Sequence, residues 1–216
     1  MELKIPRTFI TLVAVFVTSL VTANVLATKL FMFGDFILPA GVIAYPITFL
    51  MTDVIGEMWG KKVVTKVVWA GFFCSLLAMS LGFIAVMLPA APFYERQEFF
   101  AELFGRVGRI TGASLIAYIV SQLNDVWVFH KLKDLTHGKH LWLRNNVGTI
   151  SSQLFDTILF ITIAFYGIMP TSVLFSMIMS QWLIKILIAL FDTPFCYWLV
   201  AWCRNKNGYT KTFRIM

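Results

Sequence analysis

The sequence predicts an all-α integral membrane protein of six transmembrane helices with both termini on the cytoplasmic side, and three observations predict it. Hydrophobic residues make up 59% of the chain and charged residues only 13%, against roughly 25% charged in soluble domains. Mean hydropathy is +0.79. Apolar windows long enough to cross a hydrocarbon core of about 30 Å recur near residues 8–28, 38–58, 64–88, 109–129, 147–169 and 172–201. These windows fill most of the 216 residues, so one membrane domain over 1–216 is expected.

The first window follows Lys4 and Arg7 and runs apolar from Thr8 to Ala27. That is longer than a signal-peptide core, and no A-x-A site closes it, so an uncleaved helix is expected. The second window carries Tyr45-Pro46 in its interior and the sixth carries Thr193-Pro194. Proline removes a helix hydrogen bond. Such breaks are either packing kinks or places where a polar cavity satisfies the freed carbonyls. Between the third and fourth windows, Pro89 to Arg109 places Phe99, Phe100, Leu103, Phe104 and Val107 on one helical face. Glu95, Arg96, Glu98, Glu102 and Arg106 take the other, which predicts a short interfacial helix serving as anchor or lid. The fourth and fifth windows echo each other. Ser121-Gln122-Leu123-x-Asp125 matches Ser152-Gln153-Leu154-x-Asp156, while the sixth has Ser180-Gln181 without the following Asp. An inverted repeat and convergence on one chemistry both account for so short an echo.

Charge orients the chain. With the N-terminus inside, Lys4, Arg7, Lys61, Lys62, Lys66, Lys131, Lys133, Lys139, Arg144, Arg204, Lys206, Lys211 and Arg214 all face the cytoplasm. Only Lys29, Arg96, Arg106 and Arg109 face outward, which satisfies the positive-inside rule. The net charge of +7 is thus topological; the partner it implies is the lipid bilayer, and no nucleic acid is expected. Cys74, Cys196 and Cys203 are odd in number and lie in or beside apolar spans, which suits packing rather than a disulfide framework.

Ionisable residues inside the apolar windows are the strongest functional signal. Asp53, Glu57, Asp125, Asp156, Asp192 and Lys185 all lie there, and each costs about 2.5–3.5 kcal/mol to insert at bilayer depth. Interhelical polar pairs return only about 0.6 kcal/mol on average, so packing alone does not explain them. Helical spacing puts Ser121, Gln122 and Asp125 on one face, Ser152, Gln153 and Asp156 on another, and Asp53 with Glu57 on a third. The expected cavity residues are Asn24, Asp53, Glu57, Gln122, Asp125, Gln153 and Asp156, with Lys185 and Asp192 paired along the last helix. Asp156 and Lys185 are both near mid-span, within possible reach of each other. Carboxylates and carboxamides together suit a flat heterocycle with ring N–H, amino and carbonyl groups, as on a guanine edge. Aromatic residues, 16% of the chain, supply faces for stacking. One cavity carboxylate is expected to carry a proton, since paired buried acids shift readily. Arg144, Asn145 and Asn146 stand before the fifth window, where they cap the helix, gate the exit or anchor the loop.

Catalysis finds less support. His130, His137 and His140 share one loop, Gly112-Ala113-Ser114 lacks nucleophile partners, and there is no Walker A sequence. No catalytic residue, cofactor or metal site is expected. Two rivals to a self-sufficient transporter are a substrate-capture subunit of an energy-coupling vitamin importer with separate ATPases, and a membrane enzyme acting on lipid. The first draws on Ala23-x-x-x-Ala27, a close-packing motif; the second needs an acid cluster, whereas these acids are dispersed.

Several motifs together carry a resemblance. Asn24-x-x-x-Thr28-Lys29 and Pro46-x-Thr48-Phe49-Leu50-x-Thr52-Asp53-Val54-Ile55-x-Glu57-x-x-Gly60 are followed by Ser121-Gln122-x-x-Asp125-Val126. Leu141-Trp142-Leu143-Arg144-Asn145-Asn146-x-x-Thr149 and Ser152-Gln153-x-x-Asp156-Thr157 continue the series, with Lys185 and Asp192 on the last polar strip. The chain resembles the bacterial queuosine precursor transporter (vitamin uptake transporter) family over nearly its whole length. Gly56 and Trp59 stand where that pattern has Ser and Tyr. The resemblance implies a six-helix inner-membrane importer of 7-deazapurines, chiefly 7-cyano-7-deazaguanine and with 7-aminomethyl-7-deazaguanine open as a second cargo, used to make the tRNA nucleoside queuosine.

Overall fold

The computed structural model describes residues 6–135 and 141–207. Within these spans the side chains of Gln122, Asp125, Arg144, Asn145, Asn146 and Asp192 lie outside the described residues. The chain folds as long helices and one short hairpin: α1 (Arg7–Leu26), β1 (Leu30–Phe33), β2 (Phe36–Pro39), a 3-10 turn (Ala40–Ile43), α2 (Tyr45–Trp59), α3 (Lys61–Met87), α4 (Gln97–Leu135), α5 (Leu141–Phe165) and α6 (Thr171–Asn207). Among the described residues, Arg7–Leu26, Lys62–Met87, Gln97–Ser121 and Thr171–Ile188 are long and apolar enough to cross a membrane, and Ile150–Phe165 is a shorter apolar helix.

The predicted span 38–58 needs correction. Helix α2 begins at Tyr45, and residues 30–39 form an antiparallel hairpin pairing Leu30 with Pro39 and Phe33 with Phe36. Gly34, at φ 58°, turns the chain between the strands, a conformation that costs residues with a Cβ about 1–2 kcal/mol. Pro46 sits in the first turn of α2 rather than in its interior. A proline there costs little, because the first N–H groups of a helix have no intrahelical acceptor. Its fifteen residues make α2 about 22 Å long.

The separate interfacial helix also needs correction. The amphipathic stretch after Pro92 is the beginning of the 39-residue α4, which runs about 58 Å, well beyond a hydrocarbon core of about 30 Å. Its apolar face packs on the end of α3, where Gly108 lies close to Phe83 and Gln97 Nε2 donates to Val86 O at 2.9 Å. That packing makes one continuous helix out of a segment whose pattern alone reads as independent. Pro194 does lie inside α6.

Helices α4 and α5 pack as antiparallel neighbours. Asn124 Nδ2 donates to Ser151 Oγ at 3.0 Å toward one end, and Arg109 reaches Ile163 O and Tyr166 O at the other. The Arg109 cation thereby meets carbonyls of the last turn of α5, where the helix dipole favours positive charge.

Two apolar clusters hold the bundle. At the hairpin end, Ala27, Ile110, Ala113, Ala117, Phe160, Ile161, Ala164 and Met177 are almost completely buried. At the end carrying both termini, Leu12, Phe16, Met51, Val54, Ile55, Val67, Val200 and Cys203 form the second. Near the first cluster Gly41 crosses α1: a Cβ there would stand 2.6 Å from Ala23 O and 3.1 Å from Ala27 Cβ.

Candidate functional site

A cavity of about 410 Å³ lies between the two clusters, and every long helix contributes to its wall. Helix α6 supplies Lys185; α5 supplies Ser152, Gln153 and Asp156; α4 supplies Ser114, Tyr118 and Ser121. Helix α2 adds Tyr45, Thr48, Thr52 and Asp53, with Phe72 from α3 and Phe16 from α1. Its size falls within the roughly 300–1,000 Å³ of small-molecule sites.

The ion pair of Lys185 Nζ with Asp156 Oδ2, at 2.6 Å, is the electrostatic centre. The lysine side chain is 4% exposed and the carboxylate side chain 23%. Helical spacing accounts for the encounter: Met177 of α6 and Phe160 of α5 pack at the hairpin end, and Lys185 lies eight residues beyond Met177 while Asp156 lies four before Phe160, on the stripes that continue from them. The ammonium also lies 5.6 Å from the centre of the Tyr45 ring, within cation–π range. Tyr45 stacks on Phe49 at 6.1 Å, and Phe72 packs against Tyr118 at 4.9 Å. The cavity therefore has two aromatic walls.

Hydroxyl groups show which polarity the cavity offers. Thr48 Oγ1 donates to Tyr45 O at 2.9 Å, Thr52 Oγ1 to Phe49 O at 2.9 Å, and Ser121 Oγ to Tyr118 O at 3.0 Å. A hydroxyl that spends its hydrogen on its own helix keeps only lone pairs for a ligand. Gln153 Oε1 is buried without a partner, and Asp156 and Asp53 are acceptors when ionised. The wall is rich in acceptors, with Lys185 as its described cation.

The expected residues divide. Asp53, Gln153, Asp156 and Lys185 meet at this cavity. Lys185 pairs with Asp156 from the neighbouring helix. Asp192, the partner expected for it along α6, has a side chain outside the described residues, as do Gln122, Asp125, Arg144, Asn145 and Asn146. Glu57 lies elsewhere, in a cleft of about 920 Å³ between α2 and α6 at the termini end, 3.3 Å from Arg204. That cleft and the cavity share Thr52, Asp53 and Val64. Asn24 is also elsewhere: it lines a small pocket with Ser75 and Thr111, because the final turn of α1 faces α3 and α4 there. Tyr45 and Tyr118 were not singled out from the sequence. The one signal for Tyr45 is its place beside Pro46, which reads as a break inside a helix, either a packing kink or a cavity edge, whereas the structure starts α2 there.

Ala23 and Ala27, 3% and 1% exposed, are covered by the chain's own Gly41. They offer no open small-residue face of the kind a docking subunit would use, so the feature behind the capture-subunit alternative is occupied internally.

An apolar bundle enclosing an acceptor-lined, aromatic-walled cavity with an ion pair on its wall fits a multi-pass membrane transporter. Residues 39–199 match the family described as "Putative vitamin uptake transporter", and the chain belongs to that family, whose members fit the bacterial inner membrane. It is 36% identical over 160 residues to a "Probable queuosine precursor transporter" of Bacillus subtilis, covering 73% of this chain and 69% of that protein. It is 33% identical over 128 residues to a protein of the same description from Haemophilus influenzae, covering 58% of this chain and 51% of that one. It is 27% identical over 126 residues to the "Queuosine precursor transporter" of Escherichia coli, covering 58% and 54%. The match thus spans about half the length of the last two relatives. No solved structure matches the chain.

Proposed function

We propose that this chain imports queuosine precursors, chiefly 7-cyano-7-deazaguanine, with six helices crossing the inner membrane and both termini in the cytoplasm. The observation that carries this reading is the acceptor-rich wall around the Lys185–Asp156 pair. A guanine-like edge presents a ring N–H and an amino group, which acceptors take, and a carbonyl, which an ammonium takes. Asp156, Asp53 and Gln153 serve the donors, Lys185 serves the carbonyl, and Tyr45 or Tyr118 covers the ring face. The names of the relatives supply the class of cargo; the residues on the wall supply the reason it would bind. The cleft shared through Asp53 gives the cargo its way to the termini end. A carboxylate of this set carries the coupling proton, so uptake into vesicles responds to an imposed pH gradient.

The test is restoration of tRNA queuosine in cells unable to make 7-cyano-7-deazaguanine, with the compound supplied outside. Wild type is expected to restore it, and Asp156→Asn and Gln153→Leu, at equal membrane abundance, are expected to fail. Restoration by both variants would move the binding site away from this cavity. Failure of the wild type would remove the cargo assignment.

A further inference from the structure

Asn24 of α1, Ser75 of α3 and Thr111 of α4 meet around a space of about 30 Å³ whose remaining lining, including Val21, Met79 and Phe104, is apolar. The three polar residues are 6%, 2% and 2% exposed. Ser75 differs from several helix hydroxyls of this bundle. Thr48, Thr52, Ser80, Ser121 and Thr157 each donate to a carbonyl three or four residues back. Ser75 Oγ makes no such bond, and Asn24 Nδ2 is likewise buried without a partner. Both polar ends are available to whatever fills the pocket.

We propose that this pocket binds a water molecule that bridges α1, α3 and α4. The space exceeds the roughly 10–15 Å³ a cavity needs to admit a water, which also requires two to four polar partners. Here it accepts from the Asn24 amide and exchanges hydrogen bonds with the Ser75 and Thr111 hydroxyls. The occupant is neutral for two reasons. Among the described residues no charged side chain lines the pocket to offset the desolvation of an ion, and an amide N–H needs an acceptor, which a cation is not. The site therefore joins three helices by replaceable hydrogen bonds instead of fixed side-chain contacts, and it is not where a coupling cation sits. This stands independently of the cargo, because nothing in it uses the central cavity.

Three readouts on the purified full chain test it. A map that resolves ordered water should show density in contact with all three polar groups. A filled apolar pocket or a Ser75 hydroxyl turned onto the Gly71 carbonyl would overturn the proposal. X-ray radiolysis in isotopically labelled water should oxidise Met79 and Phe104 through the bound molecule, measured relative to the exposed Met87. Asn24→Leu should lower that ratio several-fold, and the milder Ser75→Ala should lower it less. Unchanged ratios in both would overturn it. Replacing sodium by choline should leave the unfolding temperature unchanged; a sodium-dependent rise that Ser75→Ala abolishes would make the site a cation site.

Discussion

The two ends of the bundle are built from the same helices and differ in what fills the space between them. At the hairpin end, Ala113, Ala117, Ile161 and Met177 leave essentially no exposed surface, and a space of about 140 Å³ there shares no lining residue with the central cavity. At the termini end α2 and α6 diverge around a cleft of about 920 Å³ lined by Asp53, Glu57 and Arg204. Small residues make the difference at the closed end, because alanines on α4 and α5 let those helices approach. At the open end Gly56 of α2 and Ala201 of α6 face the cleft without filling it. Polar strength differs as well. The ion pair between the ends is buried, whereas the Glu57–Arg204 pair has side chains 61% and 56% exposed.

The largest effect is expected at the buried pair. Lys185→Met leaves the Asp156 carboxylate without its cation; breaking a fully buried pair from one side costs about 3–5 kcal/mol, and the 23% exposure of Asp156 puts the cost here below that range. Combining Lys185→Met with Asp156→Asn removes the orphaned charge, so the double variant should unfold at a higher temperature than the single while still failing to transport. Thermal unfolding in detergent measures both. A single variant as stable as wild type would mean the pair is solvated like the one at the termini end.

The next effect sharpens the contrast between closed and open ends. Ala113→Leu adds volume where nothing is exposed, and overpacking costs about 1–3 kcal/mol. Ala201→Leu adds the same atoms in the cleft, where there is room for them. The first should lower the unfolding temperature, and the second should leave it within about a degree while slowing uptake. Equal destabilisation would show that the cleft is as closed as the hairpin end.

How much of this was legible before the structure depended on which physical signal each residue carried. The long spans of α1, α3 and α6 follow from runs of apolar residues, which only a membrane or a core accommodates. The start of α2 in the window 38–58 is too early because Leu38, Ala40, Val42 and Ile43 count toward a hydrophobic window whether they lie in strand, 3-10 turn or helix. The Gly34-Asp35 turn between two β-prone runs was the local clue. The continuity of α4 was hidden because its amphipathic beginning is set by contact with α3, a tertiary effect. At the cavity, insertion cost is what singles out Asp156 and Lys185 from the sequence, since a charge at bilayer depth has few cheap explanations. The same argument does not reach Tyr45 or Tyr118, whose rings are as inexpensive toward lipid as toward a cavity. It also placed Asn24 with the acids, because spacing along one helix does not say which neighbour that face meets.

The smallest expected effect lies at the mouth of the cleft. Arg204→Ala removes the 3.3 Å contact with Glu57, and exposed pairs of this kind are worth about 0–1 kcal/mol. Stability should barely change, because water solvates each partner once the other is gone. Glu57 also lines the cleft, so removing its neighbouring cation makes the local potential more negative. That should alter how charged cargo analogues are received while leaving neutral ones alone. An aminomethyl-bearing analogue, cationic at neutral pH, should compete better against the variant than against wild type, and the gain should fade with added salt as screening shortens the reach of the carboxylate. Competition that is the same in both proteins and insensitive to salt would show that the exposed pair takes no part in admitting cargo, leaving selection to the buried pair alone.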